Sequence, residues 1–253
     1  MILKPIKDKR IIRRHIKVRG HEVLRIEGFS DAIFAFAMTL LVVSLEVPKT
    51  FEELQIGMSG MAGFAICFGL LFFIWHDQYI FYRHYYLNDT KTIFLNALLL
   101  FTVLFYVYPL KFLFSFLISG NDFIENGVIH EKIKSALELR HLMEIYGIGF
   151  FLVYFVFFLL YRNALKHKEY LQLNSIEIFH TKTEMYKQSF MMLIGIFSAM
   201  CAALFSDNNI GMSGMIYISI GPVITILIRS RFSKMKKIFT TDQLKAHDDW
   251  VNI

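Results

Sequence analysis

A chain of 253 residues that is 55% hydrophobic and only 19% charged, with a mean hydropathy of +0.47, is too apolar for ordinary water-soluble domains. Such domains carry about a quarter charged residues. The net charge of +6 and pI of about 9.2 would suit an anionic partner, but no folded reading module surrounds the basic N-terminal run, so nucleic acid is not an expected partner.

The apolar residues fall into long blocks rather than amphipathic periods. A helix needs about 20 apolar residues to cross a hydrocarbon core of about 30 Å. Six blocks qualify in chain order: Phe29–Val47, Met58–Ile80, Ile93–Ile118, Leu142–Tyr161, Phe190–Phe205 and Met212–Ile228, the last two short enough to borrow flanking residues. Lipid offers the backbone no hydrogen-bond partner, so these blocks predict helices, and the alternating ten-residue strands of a membrane barrel are not seen. The expected fold class is therefore all-α, a polytopic membrane bundle of six helices. Residues 1–28 form a basic N-terminal segment, 29–228 the membrane domain and 229–253 a basic tail.

Charge orients the bundle. Lys4, Lys7, Lys9, Arg10, Arg13, Arg14, Lys17, Arg19 and Arg25 precede the first span, and Arg83 and Lys91 follow the second. Arg162, Lys166, Lys168, Lys182 and Lys187 follow the fourth, and Arg229, Arg231, Lys234, Lys236, Lys237 and Lys245 fill the tail. The opposite side carries fewer basic residues among more acidic ones. Both termini are therefore expected in the cytoplasm, with the protein in the cell's inner membrane, and an even number of spans agrees. Anionic headgroups are the natural partner of the basic side. No cleavable signal peptide is expected, because the first apolar run is long and lacks a small-residue cleavage site. Cys67 and Cys201 lie inside spans and offer no metal-ligand spacing, so neither a metal nor another cofactor is expected.

Along the spans, Gly57, Gly60, Gly63 and Gly69 suggest close helix packing in the second. Pro109 should kink the third. Tyr79, Tyr82, Tyr85 and Tyr86 suit an interfacial belt. Residues 120–140 read as an external excursion with a short helix around Glu131–Arg140, and 166–184 as an amphipathic connection.

The first span opens with Arg25-Ile26-Glu27-Gly28-Phe29-Ser30-Asp31. Ser30 suits a helix cap, and Asp31 near a helix N-terminus gains from the dipole. Arg25 can reach Asp31 if the chain turns at Gly28. An acid at the edge of the hydrocarbon is costly unless paired, so it reads either as an interfacial cap or as a functional group.

Arg25, Phe29, Ser30 and Asp31, followed by an apolar run through Thr39, Leu40 and Leu41 and closing at Glu46-Val47-Pro48, resemble the signature first helix of bacterial relatives of transmembrane protein 175, a family of endosomal and lysosomal potassium channels. Trp75-His76 in the second span adds to the match. The resemblance implies a homotetramer in which four first helices line a central pore, without the re-entrant filter loop of ordinary potassium channels. It places an apolar constriction and a threonine layer at Phe36, Thr39 and Val43, with Leu40 adjacent. Phe36 stands where relatives carry an aliphatic residue, and Phe34 competes for the same phase. Steps of three and four do put Phe36, Thr39 or Leu40, and Val43 on one stripe. The resemblance assigns Arg25, Phe29, Ser30, Asp31, Trp75 and His76 to a network holding the first two helices.

Glu46 and Glu53 at the outer mouth would concentrate cations or simply form a solvated rim. The expected function is a modestly selective potassium channel and not an enzyme. A secondary transporter built around Asn96 and Pro109, or a proton leak, is the alternative. A membrane hydrolase would have only His76-Asp77 to work with.

Overall fold

The computed structural model of the protein describes residues 17–20, 22–43, 50–51, 61–119, 122–125, 128–239 and 243. Six long helices lie among them: α1 (Arg25–Val43), α2 (Met61–Tyr85), α3 (Thr90–Ser119), α4 (Ala136–Lys166), α5 (Ser175–Leu204) and α6 (Ile220–Ile238). Five segments are long and apolar enough to cross a membrane, Gly63–Tyr85, Thr90–Leu113, Ala136–Lys166, Ser175–Leu204 and Met212–Met235. α1 is 19 residues long and carries Arg25, Glu27 and Asp31 in its first two turns. The expected end of the first span, residues 44–47, lies outside the described residues, as do Gly57 and Gly60.

At a rise of about 1.5 Å per residue, the 30-residue α3 and α5 and the 31-residue α4 exceed a bilayer's hydrocarbon core. α3 runs unbroken through Pro109. α5 begins well before the expected fifth span. Asn174 caps it, its side chain accepting from the Glu177 N–H while Glu177 reaches back to the Asn174 N–H. The expected amphipathic connection of 166–184 is therefore a short turn followed by the first turns of α5.

The same chemistry moves the start of α4. Ser135 accepts from the Glu138 N–H at 3.2 Å, and Glu138 Oε2 accepts from the Lys134 N–H at 2.8 Å. The short helix expected around Glu131–Arg140 is instead the opening of α4. Before it lies the one departure from an all-helical fold among the described residues. Strands β1 (Asp122–Glu125) and β2 (Val128–Glu131) pair antiparallel, with Asp122 opposite Glu131.

The sixth segment is broken. A single turn at Met212–Met215 and a 3₁₀ stretch at Ile216–Ser219 precede α6. Pro222 has no N–H to donate into that turn, which accounts for the interruption. α6 then continues past the expected end of the span, carrying Arg229, Arg231, Lys234, Lys236 and Lys237 to Ile238.

α4 and α5 form an antiparallel pair that approaches closely at glycines. A methyl on Gly147 would sit 2.7 Å from the Gly195 carbonyl oxygen, and one on Gly195 2.8 Å from that of Gly147. A methyl on Gly149 would strike the Tyr106 ring at 2.3 Å. With no hydrophobic drive between helices in lipid, such backbone approach is what holds the pair.

The main core joins Phe34, Ala37 and Leu41 of α1 to Leu71 and Phe81 of α2, Leu99 and Val103 of α3, and Phe157 and Leu160 of α4. The two ends of the described chain share one side of this bundle. Arg19 bonds Glu177 near the start of α5, and Phe239 packs edge-on against Phe179 two residues further along.

Candidate functional site

α1 starts at Arg25 and not at Ser30. Glu27 Oε2 accepts from the Leu24 N–H at 2.7 Å, satisfying a donor that precedes the first turn, so Glu27 does the capping expected of Ser30. Gly28 lies within the helix and is not a turn.

One turn later Ser30 is fully buried and belongs to a polar chain crossing three helices. Its hydroxyl donates to the Ile26 carbonyl at 2.7 Å and accepts from Asn96 Nδ2 of α3 at 2.8 Å. Asn96 Oδ1 in turn accepts from Gln78 Nε2 of α2. Ser30, Gln78 and Asn96 are 0%, 2% and 1% exposed, so each bond is made without water to compete. Asn96 is thus committed to packing α1 against α2 and α3.

Asp31 lies beside this chain. Its Oδ1 accepts from Trp75 Nε1 at 2.7 Å, a charge-assisted bond between α1 and α2. The Trp75 ring stacks on Tyr79 at 5.8 Å and leans on Phe72 at 5.3 Å. His76 sits between the same two rings, 6.5 Å from Phe72 and 6.4 Å from Tyr79. Of the expected network, Asp31 and Trp75 are hydrogen-bonded to each other, Ser30 is bonded instead to Asn96, and His76 lies against the rings of Phe72 and Tyr79. Arg25 and Phe29 point elsewhere, and among the described residues Arg25 makes no ion pair or hydrogen bond.

The direction of Arg25 follows from helical phase. On a 3.6-residue repeat, Arg25, Phe29, Phe36 and Leu40 share one face of α1, and Ser30, Phe34, Ala37 and Leu41 share another. The second face is buried, with Phe34 at 1% and Ala37 at 0%. The first is exposed within the subunit: Phe29 at 60%, Phe36 at 58% and Leu40 at 41%. Of the two phenylalanines, Phe34 is packed inside the subunit and Phe36 is uncovered. Thr39 lies on the exposed side, and its hydroxyl donates to the Phe36 carbonyl at 2.7 Å. With its proton committed, the Thr39 oxygen presents lone pairs outward.

Val43 is the last described residue of α1. Glu46 and Glu53 lie outside the described residues. Lys111 donates to the Leu41 carbonyl at 2.8 Å and ties α3 to α1 at that level. No group of three or more potential metal ligands occurs among the described residues.

Sequence reasoning missed two anchors of α1. Gln78 was hidden as a single polar residue in an apolar span. Arg19 joins the segment before α1 to α5, with Nη1 and Nη2 each 2.9 Å from a different oxygen of the fully buried Glu177. Its Nε donates to the Leu171 carbonyl at 3.1 Å. Arg19 had been counted only as one of a basic run.

Comparison with known proteins bears on this helix first. The family model described as endosomal/lysosomal potassium channel TMEM175 matches residues 25–106, spanning α1, α2 and half of α3. Over 230 residues the chain is 40% identical to a potassium channel of Marivirga tractuosa, covering 87% of this chain and 92% of that protein. The crystal structure of a threonine-to-alanine variant of the potassium channel MtTMEM175, bound to a nanobody fusion, superposes with a TM-score of 0.74 at 36% identity. That match covers 93% of this chain and all of the other. A lysosomal potassium-selective channel TMEM175 homolog from Chamaesiphon minutus shares the fold at 20% identity, with a TM-score of 0.50 over 81% of this chain and 94% of the other. The identity with the M. tractuosa protein over nearly the full length of both chains places this protein in the TMEM175 family of potassium channels.

Proposed function

We propose that the protein is a potassium channel that assembles as a homotetramer and conducts along an axis lined by the exposed face of α1. The observation that carries this reading is that face itself. Phe36 and Leu40 are bulky, apolar and uncovered, while the opposite face of α1, with Ser30, Phe34, Ala37 and Leu41, is buried against the rest of the subunit. Membership of a family of ion channels, not of enzymes, gives the uncovered face its natural occupant, the same face of other copies.

Four Phe36 side chains around an axis would form an apolar constriction that excludes water, and so gates. Thr39, with its proton held by the Phe36 carbonyl, would offer one acceptor oxygen per subunit to a partly dehydrated ion. Potassium holds its water less tightly than sodium, so this arrangement favours potassium modestly. Leu40 and Val43 would extend the apolar lining, and Glu46 and Glu53 would gather cations at the outer mouth. Arg25 and Phe29, on the same face as Phe36, would stand at the inner mouth.

Both described ends of the chain lie on one side of the bundle, where the basic residues gather. This supports cytoplasmic termini, an inner-membrane location and contact with anionic headgroups. A transporter centred on Asn96 loses its main support, because that side chain is already bonded to Ser30 and Gln78. Purified protein in planar bilayers under opposed potassium and sodium gradients tests the reading. A reversal potential displaced toward potassium is expected, and equal permeability or no current contradicts it.

A further inference from the structure

A positive charge without a counter-ion stands where α6 packs on the first turns of α5. Arg231 Nε donates to the Thr183 hydroxyl at 3.1 Å. The guanidinium carbon lies 4.2 Å from the centre of the Phe179 ring and 4.9 Å from that of Tyr186. Three contacts to one helix therefore hold this guanidinium in place, so little side-chain freedom remains to be lost on binding. Its two Nη groups make no hydrogen bond or ion pair among the described residues and are not sealed from solvent. Glu184, adjacent to Thr183, is already paired with Lys187 of its own helix at 2.9 Å.

The surroundings add charge of the same sign. Lys182, three residues after Phe179 and four before Tyr186, shares their side of α5 and is exposed. Lys234 follows Arg231 by one turn of α6 and is exposed as well. A partly buried arginine with no anion at a membrane surface is costly, and the fork of its two Nη groups matches two oxygens of a phosphate.

Depth and the neighbouring surface select the kind of phosphate. The 30 residues of α5 make a helix about 45 Å long, against a hydrocarbon core of about 30 Å, so its first two turns fall at headgroup level. From the clamp, Tyr186, Phe190, Leu193 and Phe197 continue along α5 at steps of four, three and four as an uncovered apolar lane. Ile228, one turn before Arg231 on α6, is uncovered too. A free phosphate ion gains nothing from that lane, whereas an acyl chain does.

We propose that the Arg231 clamp binds an anionic phospholipid of the leaflet on the side of the termini. Its phosphodiester oxygens accept from the two Nη groups, and its acyl chain lies along Phe190, Leu193 and Phe197. Lys182 and Lys234 favour an anionic over a zwitterionic headgroup. The proposal rests on the reading that the basic side of the bundle meets anionic headgroups, and narrows that general attraction to one site.

Native mass spectrometry of the full-length protein in detergent counts bound lipid directly. The protein is titrated with dimyristoyl phosphatidylglycerol, with dimyristoyl phosphatidylcholine as the zwitterionic lipid of the same chains, and with inorganic phosphate as the free anion. Saturable binding of a first phosphatidylglycerol per subunit is expected, weaker binding of phosphatidylcholine, and none of phosphate. Arg231→Gln should weaken the phosphatidylglycerol about tenfold and Lys182→Gln about fivefold. Lys237→Gln, on another face of α6, should leave it unchanged. Lys182 is exposed, so its replacement serves if Arg231→Gln does not fold. Equal loss in all three variants overturns the site while leaving the general attraction standing, and equal binding of the two lipids by the parent overturns both. Phosphate binding as tight as that of phosphatidylglycerol, or folded Arg231→Gln and Lys182→Gln variants that bind as the parent does, also overturns the proposal.

Discussion

Arg19 and Glu177, separated by 158 positions in sequence, meet through two hydrogen bonds of 2.9 Å each. The Glu177 carboxylate is fully buried and also accepts from the Lys17 and Asn174 N–H groups at 3.0 and 3.1 Å. It therefore does two jobs at once, capping α5 and fastening the strand of chain that leads into α1.

Breaking such a pair by removing one partner leaves a charge buried without compensation. Arg19→Ala should destabilise the folded protein by about 3–5 kcal/mol. Thermal unfolding in detergent would show this, and the loss should be larger than for Arg83→Ala, whose guanidinium bonds, among the described residues, only Gly20 and Tyr79.

Asp89 lies in the connection between α2 and α3 and gives a pH signature. Burial alone would raise its pKa, but hydrogen bonds from the Thr92 hydroxyl, the Asn163 amide and the Thr92 N–H outweigh this and hold it below its ordinary 3.8. Because the folded value is the lower one, the contribution of Asp89 is complete above pH 3.8 and is lost as pH falls through the folded value. Asp89→Asn, which keeps an acceptor oxygen for the Thr92 N–H but loses the charge that strengthens the bonds from Thr92 and Asn163, should cost about 1 kcal/mol at neutral pH. The gap between parent and variant should close in acid, as unfolding midpoints measured across that range would reveal.

The α4–α5 crossing has no room for a side chain. Gly195→Leu would drive atoms into the Gly147 carbonyl, and should cost about 1–3 kcal/mol or displace α5. Gly211→Leu, at a position with open space around it, should be near neutral in the same unfolding measurement.

Asp31 and Trp75 couple α1 to α2 beside the exposed face. Asp31→Ala should loosen the assembly before it alters ion preference. Size exclusion should show smaller species, whereas a stable assembly of parental size would speak against this role.

The six helices were legible because lipid imposes long apolar blocks; Phe36, Thr39, Leu40 and Val43 were singled out by the family resemblance, and of these Phe36, Thr39 and Leu40 lie on the exposed face of α1. Helix ends were not placed correctly, although their signals were present. Asn174 with Glu177, and Ser135 with Glu138, each show an N-cap residue followed three positions later by Glu, and they extend α5 and α4 into stretches read as connections. Attention to hydropathy hid them. The close approach of α4 to α5 at Gly147 and Gly195, and to Tyr106 of α3 at Gly149, was obscured for another reason: a glycine in an apolar span signals packing but not its partner. Gln78 and Asn96 illustrate the same limit, since each reads alone as a polar flaw and only the fold joins them through Ser30. The pairing of β1 with β2 depends on cross-strand partners that short, mixed segments do not announce.

The claim on which the account rests is that the Phe36 face of α1 lines an ion path while the Phe34 face does not. Phe36→Cys and Phe34→Cys variants, reconstituted separately in potassium-loaded liposomes and exposed to a small charged thiol reagent, test it directly. Cys67 and Cys201 are buried, so they add little background reactivity. Potassium efflux through Phe36→Cys should be blocked by the reagent and efflux through Phe34→Cys left unchanged. Block of the Phe34→Cys variant, or efflux from Phe36→Cys that the reagent leaves intact, would contradict the account.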